Sequence, residues 1–440
     1  MNIFAKPRGI RPVADPLHNR VKFIDRPCGV GKSSDTYANL SYDKRYLIVV
    51  PDLGEVERVI EETNKRGLGF QTPLTMTEYL QGDPDEDISD SDLPYSESKL
   101  SHMQALMAEG ANIVTTHKLF DMVDMSKVDT SFHHIIIDET FECVTAVAGP
   151  KKAAFDKVYV REGYAVVDES GLVRPTDKWV LEADDVDPAV SKKLFLKARA
   201  GRLHVSEDGF YVDVVPVQTF LRNQSCTVLT YMSEGSLMAA YLRRHGVEYE
   251  VERDAEEDLR FRQGAKQRLI LRHLNLDEGK GKGRKHRKAL SFGYKAQGSF
   301  GRQTQVRFAT SIRNHVYRVM KLKPNELIFT MRKDLAYDRR DELSQFVKEA
   351  RLSTATWVHK STKGTNKHRY CVGALHMYDL NLNPSVKKYL DFTEEQEIAW
   401  RKSELVQWIW RTAIRDGEVV QVSFCSQRTK QAFEDWLGEG

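Results

Sequence analysis

The sequence predicts an α/β protein of two domains, each built on a parallel central sheet with helices on both faces. Three observations point there. The chain has 440 residues, more than one ordinary domain holds. Short apolar runs rich in β-branched residues recur, as strands buried on both faces require. These runs alternate with polar or Gly-rich turns and helical patterns, and the rhythm restarts after Glu252. The expected domains are therefore 1–250 and 251–440, with the boundary at about 245–265.

The elements follow in order. Strands are expected at Val21 to Ile24, Tyr46 to Val50, Asn112 to Thr115, His134 to Ile137 and Thr227 to Leu229. Residues 145–222 interrupt the pattern and read as an insertion in the first domain. Within them, Tyr159 to Val173 alternates like a hairpin, Pro188 opens a helix from Ala189 to Ala200, and Gly209 to Val215 is a strand. Beyond Glu252, strands are expected at Arg268 to Leu271, Glu326 to Thr330, Cys371 to Leu375 and Gln421 to Phe424. Helices are expected at Ser311 to Met320, Glu342 to Glu349, Glu394 to Ile414 and Thr429 to Leu437.

Composition narrows the function classes. The chain is 41% hydrophobic and 29% charged, as a soluble globular protein is, and its net charge of +3 selects no partner. An acidic stretch runs from Asp83 to Asp92 and a basic run from Lys280 to Lys288, both read as surface loops. The basic run could also grip phosphates. Five scattered cysteines form no C-x-x-C pair, which gives no zinc spacing and suits a reducing compartment. Without a signal peptide or a long apolar run, the expected location is the cytoplasm, the host's if the protein is viral.

Two motifs carry chemistry. Arg26-Pro27-Cys28-Gly29-Val30-Gly31-Lys32-Ser33-Ser34 follows an apolar strand and precedes a helix, the context of a phosphate-binding loop. Gly29 and Gly31 let backbone N–H groups turn inward around phosphate oxygens. Lys32 brings positive charge to the β- and γ-phosphates, Ser33 a hydroxyl for Mg²⁺, and the helix its positive end. The usual first glycine is Arg26 here. The second motif, His134-Ile-Ile-Ile-Asp138-Glu139-Thr140-Phe141, is an apolar strand ending in two carboxylates. A strand ending in Asp puts that carboxylate at the carboxyl edge of the sheet, beside the loop. There Asp138 would bind Mg²⁺, and Glu139 would deprotonate the attacking water.

On these residues the chain resembles superfamily 2 helicases, and among them the compact helicases of bacteriophages. Pro27 to Ser33 resembles that family's first motif, and Asp138-Glu139-Thr140-Phe141 its Asp-Glu-x-x box. Tyr46 to Pro51, Val114 to His117, Val228 to Met232, Leu327 to Thr330, Lys363 to Asn366 and Gln407 to Arg415 resemble further motifs in the required order. The last keeps Gln407 and Arg411 at family spacing, has Arg415 one residue late, and lacks both glycines.

The resemblance implies two RecA-like domains using ATP and Mg²⁺. It implies nucleic-acid contacts at Thr115, Thr116, Thr365 and Asn366, and catalytic roles for Gln407, Arg411 and Arg415. Arg411 is the finger expected on spacing, with Arg415 second. The expected function is an ATP-dependent helicase or translocase moving on DNA or RNA, with single- or double-stranded DNA favoured over RNA, monomeric on the nucleic acid, without a membrane partner and working beside replication or recombination proteins. A P-loop phosphotransferase, or a non-unwinding ATP-gated clamp in replication or defence, stays open. Blander readings stand beside these. The threonines and Asn366 equally suit turns and caps, Arg411 and Arg415 could pair with Glu404 or Asp416, Trp408 and Trp410 read as core, and His117, His133 and His134 as structural.

Overall fold

The structure, a computed structural model, describes residues 21–75, 98–125, 128–182, 191–276, 293, 297–362 and 367–438. The acidic stretch from Asp83, the basic run from Lys280, the expected helix start at Pro188 and the segment Lys363 to Asn366 lie outside the described residues. The chain divides into two compact units: one of Met1–Asp25, Lys32–Glu252 and Leu382–Thr393, the other of Arg26–Gly31, Arg253–Asn381 and Glu394–Gly440.

The first unit is centred on a parallel sheet. Its strands are β1 (Val21–Asp25), β2 (Arg45–Val50), β3 (Phe70–Gln71), β4 (Asn112–Thr116), β5 (His133–Asp138), β11 (Ser225–Thr230) and β12 (Tyr249–Glu252), in the order β12-β1-β11-β5-β2-β4-β3. The β-branched runs cause this. Ile48, Val50, Val114, Ile136 and Leu229 pack as one buried cluster beneath Val56 and Val59 of the helix Leu53–Asn64. Asp52 starts that helix by accepting the Glu55 N–H on its side chain.

The insertion adds β6 (Val144–Val147), β9 (Leu203–Val205) and β10 (Tyr211–Val214) as an antiparallel sheet. It also adds a hairpin of β7 (Ala165–Val167) and β8 (Val173–Pro175). The hairpin starts later than its alternation suggests, because Asp156–Arg161 is a π-helical turn. Phe155 and Tyr159, four residues apart, stack at 4.8 Å in a buried cluster with Trp179, Phe195 and Tyr211. Burying both rings on one helical face outweighs strand alternation there.

A segment from late in the chain, Leu382–Thr393, completes this unit. Leu382, Val386, Leu390 and Phe392 are buried. Arg244 pairs with Asp391 at 2.5 Å, and Lys388 pairs with Asp208.

The second unit holds a second parallel sheet. Its strands are β13 (Leu269–His273), β14 (Leu327–Thr330), β15 (Thr356–Trp357), β16 (Gly373–His376) and β17 (Val420–Phe424), ordered β13-β17-β16-β14-β15. Phe308, Ile312 and Val316 pack over Leu327, Phe329 and Leu375. The helix expected over Glu394 to Ile414 stops at Ile409. The Ile409 carbonyl accepts the Thr412 hydroxyl at 2.7 Å, and the Ala413 N–H is drawn to the Cys371 carbonyl at 2.9 Å. Arg411 therefore follows the helix instead of riding on it.

Candidate nucleotide site

In the first unit, β1, β11 and β5 lie side by side, and their last residues are polar. Asp25 is level with Thr230, and Leu229 with Asp138. The parallel register thus gathers Asp25, Thr230 and Asp138 at the carboxyl edge of the sheet, where α/β folds place their ligands. Asp25 accepts the N–H groups of Met232 at 2.7 Å and Ser233 at 3.0 Å, and the Ser233 hydroxyl at 2.9 Å. These bonds hold Met232 in the left-handed region at φ 59.

Ser33 donates its hydroxyl to Asp138, with both carboxylate oxygens at 2.9 Å, and the Tyr37 hydroxyl reaches Oδ2 at 3.3 Å. Ser33 and Tyr37 are four residues apart on the helix Lys32–Ala38, so one helical face presents both. Lys32 is buried. Glu139 is buried too and sits at φ 65, with its N–H donating to the Leu229 carbonyl at 2.9 Å. The His117 ring donates from Nε2 to the Asp138 carbonyl at 2.9 Å.

Burial, and then the neighbouring Glu139 charge, push the Asp138 carboxyl up to about 6, against the opposing pull of Lys32 and Ser33. Burial and the Asp138 charge likewise raise the Tyr37 phenol well above its ordinary value. A hydroxyl bonded to a buried carboxylate whose charge is uncomfortable fits a divalent cation, which would relieve that cost. No cluster of three or more His, Cys, Asp or Glu among the described residues could hold a metal by itself. The pair therefore suits a cation that arrives with phosphate oxygens.

The turn Arg26–Gly31 groups with the second unit. Gly29 at φ 86 and Gly31 at φ 89 occupy the region that side chains disfavour. Pro27 is buried, Cys28 and Val30 are half-buried, and Gly29, Gly31 and the following Ser34 are exposed. Arg26 forks onto Glu257, Nε to Oε2 at 3.0 Å and Nη2 to Oε1 at 2.9 Å. A Cβ on Gly29 would stand 3.2 Å from Cγ of Arg415 and 3.5 Å from its Nε. Arg415 thus lies over the glycine turn.

Arg411 is buried, and its Nε has no hydrogen-bond partner among the described residues. Gln407 is buried as well and donates from Nε2 to the Ser403 hydroxyl at 3.1 Å. Neither lies on a solvated helix face.

The expected nucleic-acid contacts fare unevenly. Thr115 is buried with its hydroxyl toward Met103 Sδ at 3.6 Å, so it presents nothing to a strand. Thr116 caps the helix His117–Asp121 by accepting the Leu119 N–H. Thr365 and Asn366 lie outside the described residues. Trp408 and Trp410 are core.

Sequence reasoning missed Asp25, Tyr37 and the Arg26–Glu257 fork. Asp25 carried a signal, a carboxylate ending an apolar strand just as Asp138 does. Tyr37 carried one too, in its helical spacing from Ser33. Glu257 carried none.

These two parallel sheets, with an insertion in the first unit, define a protein of two RecA-like P-loop domains. The chain aligns with the solved structure titled XPD apo at a TM-score of 0.52 and 12% identity, over 96% of this chain and 96% of that one. The fold is therefore helicase-like. The structure of S. cerevisiae Dbp5 bound to RNA and ADP BeF3 aligns at a TM-score of 0.40 and 10% identity, over 98% of this chain and 88% of that one. Among curated proteins, the SPbeta prophage-derived uncharacterized protein YonV of Bacillus subtilis (strain 168) is 23% identical over 95% of this chain and 98% of its own length. Residues 268–437 match the family described as the YonV C-terminal Rossmann-like domain. No helix among the described residues is long and apolar enough to cross a membrane.

Proposed function

We propose that the chain is an ATP-driven helicase or translocase of nucleic acid, a DNA strand before RNA. It would work as a monomer on the strand, beside replication or recombination proteins. The observation that carries this reading is the Ser33–Asp138 hydrogen bond at the carboxyl edge of a parallel sheet, directly after a turn with two left-handed glycines. A phosphate chain seats on exposed backbone at Gly29 and Gly31, with Lys32 as its countercharge. Bound Mg²⁺, held by Ser33 and Asp138, would neutralise charge on the phosphate oxygens. Glu139, which follows Asp138 in a left-handed backbone conformation, takes the proton of the attacking water.

Arg415 is the charge donor to the transferring phosphoryl group. Its packing on Gly29 supports this choice over Arg411, which is enclosed. Such an arginine contributes about 10³–10⁵ in rate in related phosphoryl-transfer systems.

The test is ATP hydrolysis with and without single- and double-stranded DNA and RNA. Stimulation by a polynucleotide is expected. Lys32→Ala should lose ATP binding and hydrolysis together, and Glu139→Gln should bind ATP yet not turn over. Hydrolysis indifferent to every polynucleotide would end the helicase reading.

A further inference from the structure

The entrance to the glycine turn carries an arginine where phosphate loops usually have a small residue, and the fold gives that arginine a dedicated partner. Arg26 and Glu257 meet through two parallel N–H···O bonds at 3.0 and 2.9 Å. Their side chains are 26% and 20% exposed, so the pair is less screened than an open surface bridge. Glu257 is itself fixed. It stands in the first turn of the helix Ala255–Arg268, where Asp254 accepts the Glu256 N–H at 2.9 Å and the Glu257 N–H at 3.0 Å. One residue before Arg26, Asp25 is tied by its three bonds to Met232 and Ser233. Successive residues at the loop entrance are thus each clamped, while Gly29 and Gly31 beyond them hold the conformational freedom.

We propose that Arg26 is a positioning residue. Its fork with Glu257 pre-orders the glycine turn, so that binding a nucleoside triphosphate needs less loop ordering. This rests on the nucleotide reading of that turn. Arg26 touches no phosphate in this account. It acts through the backbone of Pro27 to Gly31, and preorganisation of that kind shows in affinity before it shows in the chemical step. A lysine would not replace it, because a point charge cannot make the parallel fork.

The experiment measures binding of N-methylanthraniloyl-ATP with Mg²⁺, and steady-state hydrolysis of MgATP, by the full chain. Wild type, Arg26→Ala, Glu257→Ala, the charge swap Arg26→Glu with Glu257→Arg, and Lys32→Ala are compared. Arg26→Ala and Glu257→Ala should each weaken nucleotide binding and raise KM about tenfold, the scale of one charge-assisted hydrogen bond. Their kcat should stay within about twofold of wild type, and the swap should recover most of the lost affinity. Arg26→Gln, which keeps the chain length without the charge, replaces Arg26→Ala if that variant misfolds.

Wild-type affinity in both single variants overturns the proposal. So does a joint fall of kcat and thermal stability that the swap does not relieve, which marks a merely structural bridge. If wild type binds no better than Lys32→Ala, the nucleotide reading itself is lost and the positioning role with it. That outcome differs from intact wild-type binding with indifferent Arg26 variants.

Discussion

At Asp138 one side chain meets two opposed demands, burial that disfavours its charge and a hydroxyl and a lysine that favour it. Burial dominates, which leaves a carboxylate ready for a cation. Arg411 is buried and Arg415 packs on Gly29, which is why the proposed function gives the charge-donor role to Arg415. Arg415→Ala should keep ATP binding and lower kcat by about 10³ or more, while Arg411→Met should leave turnover largely intact. The reverse pattern in single-turnover hydrolysis would hand the role back to Arg411.

Histidine burial sets an acid limit on stability. His133 is fully buried, and burial lowers its ring from 6.5 to about 4, although Nε2 donates to the Ala111 carbonyl at 3.1 Å. A depressed folded-state value means that the unfolded chain takes up the proton first. Stability from His133 is complete above 6.5 and is lost as pH falls toward 4, by at most about 3 kcal/mol. Asp138, whose folded-state value is raised, works in the opposite direction between 3.8 and about 6. His133→Gln should flatten the acid limb of urea-unfolding stability, and an unchanged limb would clear His133 of it. His133 was readable as structural, but its pH role was not, because only the packed environment sets the desolvation.

Among elements, the central strands were legible to within a residue or two. A run such as His133–Asp138 has no stable use except between two neighbours in a sheet. The short strands β3, β6, β9, β12 and β15 were not, since a few residues carry too little periodicity and are held by their partners. The hairpin β7–β8 was displaced by the Phe155–Tyr159 stack. Its turn closes on Gly171 at φ 83, whose carbonyl accepts the Val205 N–H at 2.8 Å. A Cβ there would fall 2.5 Å from the Val205 carbonyl oxygen. Gly171→Ala should cost about 1–3 kcal/mol, read as a lower urea midpoint with faster hydrogen exchange in β9. Wild-type stability in that variant would mean the join tolerates displacement.

Across the whole molecule, the chain does not finish one unit before starting the next. Leu382–Thr393 belongs with the first unit, and its buried Val386, Leu390 and Phe392 are apolar surface that this unit covers. A fragment ending at Glu252 lacks them, so it should unfold at a lower temperature than the same unit in the full chain and bind a dye for exposed apolar surface. Equal melting temperatures would show that Leu382–Thr393 is dispensable. By itself the sequence determined the α/β class, the glycine turn and the strand that ends in Asp138 and Glu139. Each of these is a local pattern whose physics acts over a few residues. Only the tertiary structure decided that Ser33 and Tyr37 converge on Asp138, that Arg415 lies on Gly29, that Arg26 has Glu257, and that Leu382–Thr393 returns to the first unit. Those contacts join residues far apart in the chain, and only the register of sheets and the packing of cores bring such residues together.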